Sequence, residues 1–175
     1  MKLLITGGYG FIGSNFILKL LEKHQEYKIM NVDAELNGSN PKNLSKIENN
    51  KNYEFVKGNI TDYKLMKKLI SKCDIVVNFA AESFVDRSIN DASPFLVSNI
   101  LGTHTILDII TKEKKKMIQI STDEVFGSLE NESATEETKF NPTNPYAATK
   151  ASAELLINSY FTTYNSNVII TRCTN

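Results

Sequence analysis

Apolar residues along this chain fall into two rhythms that take turns. Leu3-Leu4-Ile5 is a continuous run, too short for a helix and suited to a strand buried on both faces. Directly after it, Phe11, Ile12, Phe16, Ile17, Leu20 and Leu21 recur at the i, i+3, i+4 spacing of one helical face. A second strand is predicted from Tyr27 to Val32, ending at Asp33, and a third over Tyr53, Phe55 and Val56. Between them lies a polar loop, Asn37-Gly-Ser-Asn-Pro41, with Leu44 and Ile47 on one short helix. Asp62 caps the next helix, whose inner face is Leu65, Met66, Leu69 and Ile70. Asp74 to Phe79 is apolar enough to be a central strand. Ser93 as N-cap and Pro94 in the first turn open a helix with Phe95, Leu96, Ile100, Leu107 and Ile110 inward. Asn99 and Thr103 interrupt that run, as buried hydrogen-bonders or as neighbours of a site. A fifth strand over Met117 to Ile120 leads through a polar loop to Pro145. A long helix then reaches about Tyr164, packing Ala147, Leu155, Leu156 and Phe161, and a sixth strand covers Asn167 to Thr171. Such alternation predicts an α/β fold with a doubly wound parallel sheet.

Gly7, Gly10 and Gly13 stand between the first strand and the first helix. Their G-x-x-G-x-x-G spacing differs from the G-x-G-x-x-G of many dinucleotide sites, but the context is the same. Backbone N–H groups at a helix N-terminus, among them those of Phe11 and Ile12, form an anion site for a pyrophosphate. Glycines let the backbone approach it closely. Asp33 falls about 20 residues on, where an acidic side chain accepts from the adenosine ribose and repels a 2′-phosphate. No Arg follows it closely, so NAD is expected rather than NADP. The end of the third strand, Gly58-Asn59-Ile60, lies beside the adenine, with Asn59 placed to bond its edge. Small residues Ala80 and Ala81 leave room for the cofactor to cross the sheet edge. The whole chain, residues 1–175, reads as one Rossmann-like dinucleotide-binding domain.

Charge narrows the partners. Lys and Arg number 20, as do Asp and Glu, so neither nucleic acid nor an anionic membrane surface is implied. The sequence has no apolar run of membrane-spanning length, and a strand starting at Lys2 leaves no place for a signal peptide. Cys73 and Cys173 lack metal-ligand spacing and are expected as buried thiols in a reducing cytoplasm. His24 and His104 sit on separate helices without partner ligands, so no metal is expected.

Chemistry concentrates late in the chain. Tyr146 and Lys150 lie at i and i+4, one above the other on a helix. A phenol with pKa ~10 is a poor base at neutral pH, and a nearby ammonium together with the positive nicotinamide is expected to lower it. Tyr53/Lys57 and Tyr63/Lys67 share the spacing, but only Tyr146 follows the fifth strand, at the carboxyl edge where ligands collect. Thr122-Asp123-Glu124 ends that strand. Two adjacent carboxylates can simply cap a turn. Beside a hydride-transfer site they are also the acid and base that elimination of water needs, their mutual repulsion raising one pKa.

The run Gly7-Gly-Tyr-Gly-Phe-Ile-Gly13 with Tyr146-x-x-x-Lys150 resembles the extended short-chain dehydrogenase/reductases. Ala80-Ala-Glu-Ser-Phe-Val-Asp-Arg-Ser88, Ser121-Thr-Asp-Glu-Val-Phe-Gly127 and Asn144-Pro-Tyr-Ala-Ala-Thr-Lys-Ala-Ser152 resemble the nucleoside-diphosphate-glucose 4,6-dehydratases within them. The resemblance covers essentially the whole chain. It implies NAD as cofactor, Asp123 as acid toward the sugar C6 hydroxyl, Glu124 as base at C5, and Thr122 beside Tyr146 at the C4 oxygen. It also implies Ser83, Arg87 and Asn175 near the substrate, a nucleoside-diphosphate-glucose. A homodimer through the helices near 94–111 and 146–164 follows from it as well. Phe84 stands where the family commonly has histidine, Asn59 where it has aspartate, and Ala34-Glu35-Leu36 replaces its usual stretch after Asp33. Family chains continue well past residue 175, so this chain reads as the N-terminal, cofactor-binding part of a longer enzyme, inactive alone. The competing expectations are an epimerase or decarboxylase of the same superfamily, or a non-catalytic NAD-binding module.

Overall fold

The computed structural model of the chain describes residues 1–129 and 133–174. Six strands form one sheet: β1 (Lys2–Thr6), β2 (Lys28–Asp33), β3 (Tyr53–Lys57), β4 (Ile75–Asn78), β5 (Lys116–Thr122) and β6 (Asn167–Cys173). Their spatial order is β3-β2-β1-β4-β5-β6, and every pairing is parallel. The order reverses between β1 and β4. At that point crossovers leave to opposite faces of the sheet and open a crevice at the carboxyl ends of the strands.

Successive strand residues face opposite layers. Leu3 and Ile5 pack with Ile29 and Val77 against Ile17 and Leu21 of α1 (Phe11–Lys23) and Leu44 of a 3-10 turn (Pro41–Ile47). Leu4, Val32 and Val76 face the other layer, α2 (Tyr63–Ile70), α5 (Thr103–Lys112) and α6 (Pro145–Tyr164). Full burial of each such aliphatic side chain contributes about 1.5–3 kcal/mol. Asp62 caps α2 by accepting from Leu65 N at 3.0 Å, as expected for that residue type.

The crossover from β4 to β5 departs from the simple helix read from sequence. It contains α3 (Val85–Asn90), α4 (Ser93–Phe95) and a π-helical stretch (Leu96–Gly102) running directly into α5. Ser93 is not the cap: it is the first helical residue, and its N–H donates to Asp91 Oδ1 at 2.9 Å. Several apolar residues read as core are on the surface. Phe11 is 81% exposed because the first turn of α1 faces the crevice rather than the sheet. Leu96, Leu155 and Phe161 are exposed too, each on the side of its helix turned away from the sheet. Cys73 is buried, but Cys173, at the end of the edge strand β6, is exposed, contrary to expectation. Among the described residues, no helix is long and apolar enough to cross a membrane.

Candidate active site

A cleft of about 440 Å³ runs along the carboxyl ends of β1, β2, β4 and β5. One half is built on backbone. Gly7 takes φ +69°, a left-handed conformation that favours glycine, so that its N–H reaches Val32 O at 2.9 Å across to β2. A Cβ on Gly13 would lie 2.5 Å from Gly7 O, so the loop can close on α1 only with glycine there. No side chain caps α1, which leaves the amides of its first turn directed at the cleft. These features fit a pyrophosphate.

Asp33 is buried at the end of β2 and its carboxylate is oriented by three donors. Tyr9 N binds Oδ2 at 2.9 Å, while Glu35 N and Ser39 Oγ bind Oδ1 at 2.8 and 2.7 Å. One acceptor position remains open for a ribose hydroxyl. Asn59 does something not expected of it: its Oδ1 closes a turn by accepting from Thr61 N and Thr61 Oγ1, both at 3.0 Å. Only its amide nitrogen is left to face an adenine.

The other half joins the end of β5 to the start of α6. Asn144 caps α6 by accepting from Ala147 N at 2.8 Å, with Pro145 in the first turn, and its amide donates to Glu124 Oε2 at 3.1 Å. One residue thus starts the helix and aims the carboxylate. Thr122 Oγ1 accepts from Glu124 N at 3.2 Å and donates to Asp123 Oδ1 at 3.3 Å. Tyr146 N donates to Ser88 Oγ at 3.1 Å, tying α6 to α3.

The chain's own groups push the Tyr146 phenol above its ordinary value, so the neighbouring ammonium alone does not lower it. Burial is the main cause; the Thr122 hydroxyl opposes it, and the Glu124 and Asp123 charges add to it. Lys150 does not offset this. Its Nζ donates to Ile120 O at 2.6 Å, and burial lowers its pKa to about 8 against the attraction of Glu154. At that value the ammonium remains mostly charged at neutral pH.

Two buried side chains support the site, and only one of them, Asn99, was visible in the sequence. Glu154 is 0% exposed. It accepts from Ser121 Oγ at 2.5 Å and, through two nitrogens, from Arg172, the shorter of these at 2.6 Å. The Arg172 guanidinium lies over the Phe126 ring, 4.9 Å from its centroid. Asn99, on the π-helical stretch, donates to Glu82 O and Thr149 Oγ1, both at 2.9 Å, and accepts from Glu82 N at 2.9 Å. A wide turn of this kind is common at functional sites. Asn99 was flagged by its place in an apolar run; Glu154 offered only its position one turn beyond Lys150.

The cleft is lined by Gly7, Gly10, Phe11, Ile12, Gly13, Asp33, Asn59, Ile60, Ala80 and Ala81, and also by Ser83, Thr122, Glu124, Tyr146 and Lys150. Asp123 and Arg87 are not in its wall. Arg87 instead pairs with the buried Glu82 carboxylate at 3.0 Å. Asn175 lies outside the described residues. Leu36, Ser39, Phe84, Ser98 and Cys173 also line the cleft and were not singled out as site residues beforehand.

A parallel sheet with a glycine turn at its switch point, and a Tyr/Lys helix closing the crevice, defines an extended short-chain dehydrogenase/reductase domain. More narrowly, residues 4–175 match the family described as GDP-mannose 4,6 dehydratase, and the chain belongs to that family. The low-salt glycan biosynthesis protein Agl12 of Haloferax volcanii is 43% identical over all of this chain and 56% of its own length. The dTDP-glucose 4,6-dehydratase of Mycobacterium tuberculosis is 39% identical over all of this chain and 53% of its own length. A crystal structure of dTDP-glucose 4,6-dehydratase from Bacillus anthracis in complex with NAD superposes with TM-score 0.92 at 42% identity. It covers all of this chain and 55% of that one. The chain therefore spans about half the length of the relatives it matches.

Proposed function

We propose that this chain is the cofactor-binding domain of an NAD-dependent sugar-nucleotide 4,6-dehydratase, a lyase whose substrate is a nucleoside-diphosphate-glucose. The observation that carries the reading is that Thr122 and Glu124, on either side of Asp123 at the end of β5, line the same cleft as Tyr146 and Lys150. The uncapped start of α1, the orientation of Asp33 and the NAD complex of the Bacillus anthracis relative support the cofactor. NAD supplies the hydride acceptor for sugar C4 and the hydride donor for C6.

The chain's own groups supply the proton transfers. Tyr146 takes the proton of the C4 hydroxyl while Thr122 bonds that oxygen and Lys150 provides a fixed positive charge one turn below. The resulting C4 ketone acidifies the C5 hydrogen, which Glu124 removes. Asp123 is the acid that hands a proton to the C6 hydroxyl, which leaves as water. As hydride returns to C6, Glu124 gives a solvent-exchanged proton back to C5, and the product is the 4-keto-6-deoxy sugar nucleotide. Ser83, facing the cleft, and Arg87, held beside it by Glu82, are the substrate-side groups together with Asn175.

A homodimer belongs to the same reading. The two long helical runs pack on each other and leave Leu96, Val97, Leu101 and Leu155 exposed. Both cysteines are free, in keeping with a reducing cytoplasm.

The test uses the longest natural form of the chain with NAD in deuterated water, following dTDP-glucose and UDP-glucose by mass spectrometry. Loss of water with one solvent deuterium retained at C5 is expected. An unchanged mass with inversion at C4 would identify an epimerase instead.

A further inference from the structure

The cofactor reading leaves unused an ion pair just outside the cleft wall, next to Asp33 at its adenosine end. Lys57 is the last residue of β3 and stands in register with Asp33 on the neighbouring parallel strand. Paired residues of adjacent strands point to the same face, about 4.8 Å apart. The Lys57 ammonium therefore starts beside the carboxylate that reads the ribose. It does not engage Asp33, whose partners are the three neutral donors described above. Instead it pairs with the carboxylate of Glu35.

Glu35 reaches that position through an unusual backbone. Its φ is 54°, in the left-handed region that residues other than glycine seldom occupy. The turn points its N–H at Asp33 Oδ1 and carries its side chain back over the end of β3. The residues on either side, Ala34 and Leu36, both line the cleft. Where the family's usual stretch is replaced, the replacement thus brings a second carboxylate to the ribose end.

The geometry points to Glu35 as a specificity-determining residue that excludes NADP by masking Lys57. A 2′-phosphate on the adenosine ribose would enter beside Asp33. An unpaired Lys57 would supply the cation it needs, as a basic residue does in NADP-dependent domains. With Glu35 in place, Asp33, Glu35 and Lys57 together carry one net negative charge, and the phosphate meets only repulsion. The arrangement makes Asp33 one of two acidic barriers, the second acting by neutralising a lysine already in reach.

This inference rests on the NAD reading, and the experiment separates the two. The full chain, Glu35→Gln, and Glu35→Gln with Lys57→Met are titrated with NAD+ and with NADP+ by calorimetry at low and high salt. Thermal unfolding of each variant confirms that it folds. In Glu35→Gln the ratio of the NADP+ to the NAD+ dissociation constant is expected to fall roughly tenfold, or about 1.4 kcal/mol, since removing one nearby negative charge and freeing one positive charge each favour a doubly charged phosphate in a water-like medium. Adding Lys57→Met should reverse the gain, and raising the salt should shrink it. An unchanged ratio in Glu35→Gln, or a gain that survives Lys57→Met, overturns the masking role while NAD+ binding stands. A chain that binds neither nucleotide overturns both the role and the cofactor reading.

Discussion

Lys150 is the residue whose surroundings make the sharpest demand. A pKa of about 8 in the folded chain, against about 10.5 for a solvated lysine, means that burial of its ammonium opposes folding. The unfolded chain binds more protons at this site between those values, so the contribution of Lys150 to stability rises with pH from about 8 to about 10.5 and is constant below. The full difference is about 3 kcal/mol. Lys150→Met should consequently be more stable than the parent chain at pH 7 in urea unfolding, by less than that figure because the bond to Ile120 O is lost. The gap should narrow at pH 10. A gap independent of pH would mean that the lysine is not desolvated as its burial indicates. For catalysis the same substitution acts in the opposite direction, and Tyr146→Phe more so: removing a general base is expected to lower turnover in the longest natural form about 10²–10⁴-fold. NAD binding, which calorimetry reads separately, would fall far less. The i, i+4 relation of these two residues was plain in the sequence. The direction of the phenol's shift was not, because it depends on burial and on Glu124 and Asp123, which the fold brings to it from another element.

At the scale of elements, α6 is held at both ends of its functional face. Asn144 fixes its start and Glu124 together, and Glu154 fixes its middle to β5 through Ser121 and to β6 through Arg172. Glu154→Ala leaves Arg172, whose side chain is mostly but not fully shielded from water, with an uncompensated charge. Equilibrium unfolding should show a loss of about 1–3 kcal/mol, below that of a fully buried pair because water reaches Arg172, and Glu154→Met with Arg172→Met should recover most of it. At the other end of the cleft, Gly13→Ala pushes a methyl into Gly7 O. It should cost about 1–3 kcal/mol and weaken NAD binding, because the strand–glycine–helix turn cannot close. The strands, their order of occurrence and the helix α6 were legible from apolar periodicity and capping residues. The crossover between β4 and β5 was not. Its π-helical stretch follows from tertiary bonds of Asn99 to Glu82 and Thr149, residues 17 and 50 positions away, which no local pattern encodes. Leu155 and Leu96 were misread for a related reason: periodicity marks an apolar face without saying what covers it.

For the molecule as a whole, that exposed apolar face and the half-length match to relatives lead to one linked expectation. A helical pair with Leu101 and Leu155 about half exposed, 50% and 58%, is an unusual surface for a chain that balances its charges. If two copies bury it against each other, the charged pair of substitutions Leu101→Glu and Leu155→Glu places four carboxylates in one interface. The dissociation constant of the dimer should then rise at least about 100-fold, seen as a halved mass in sedimentation equilibrium. Both positions lie on the outer side of helices whose inner sides carry the core, so the substituted chain should unfold at a temperature close to the parent's. NAD binding to residues 1–175 should persist in either state, since the glycine turn, Asp33 and the Tyr146/Lys150 pair all come from one protomer. Turnover of dTDP-glucose by those residues alone should be slight. The cleft brings Thr122, Glu124, Tyr146 and Lys150 together, but the relatives that carry the dehydratase name are nearly twice as long. A monomeric parent chain at high concentration would remove the dimer from this picture and leave the apolar face to be covered by something else.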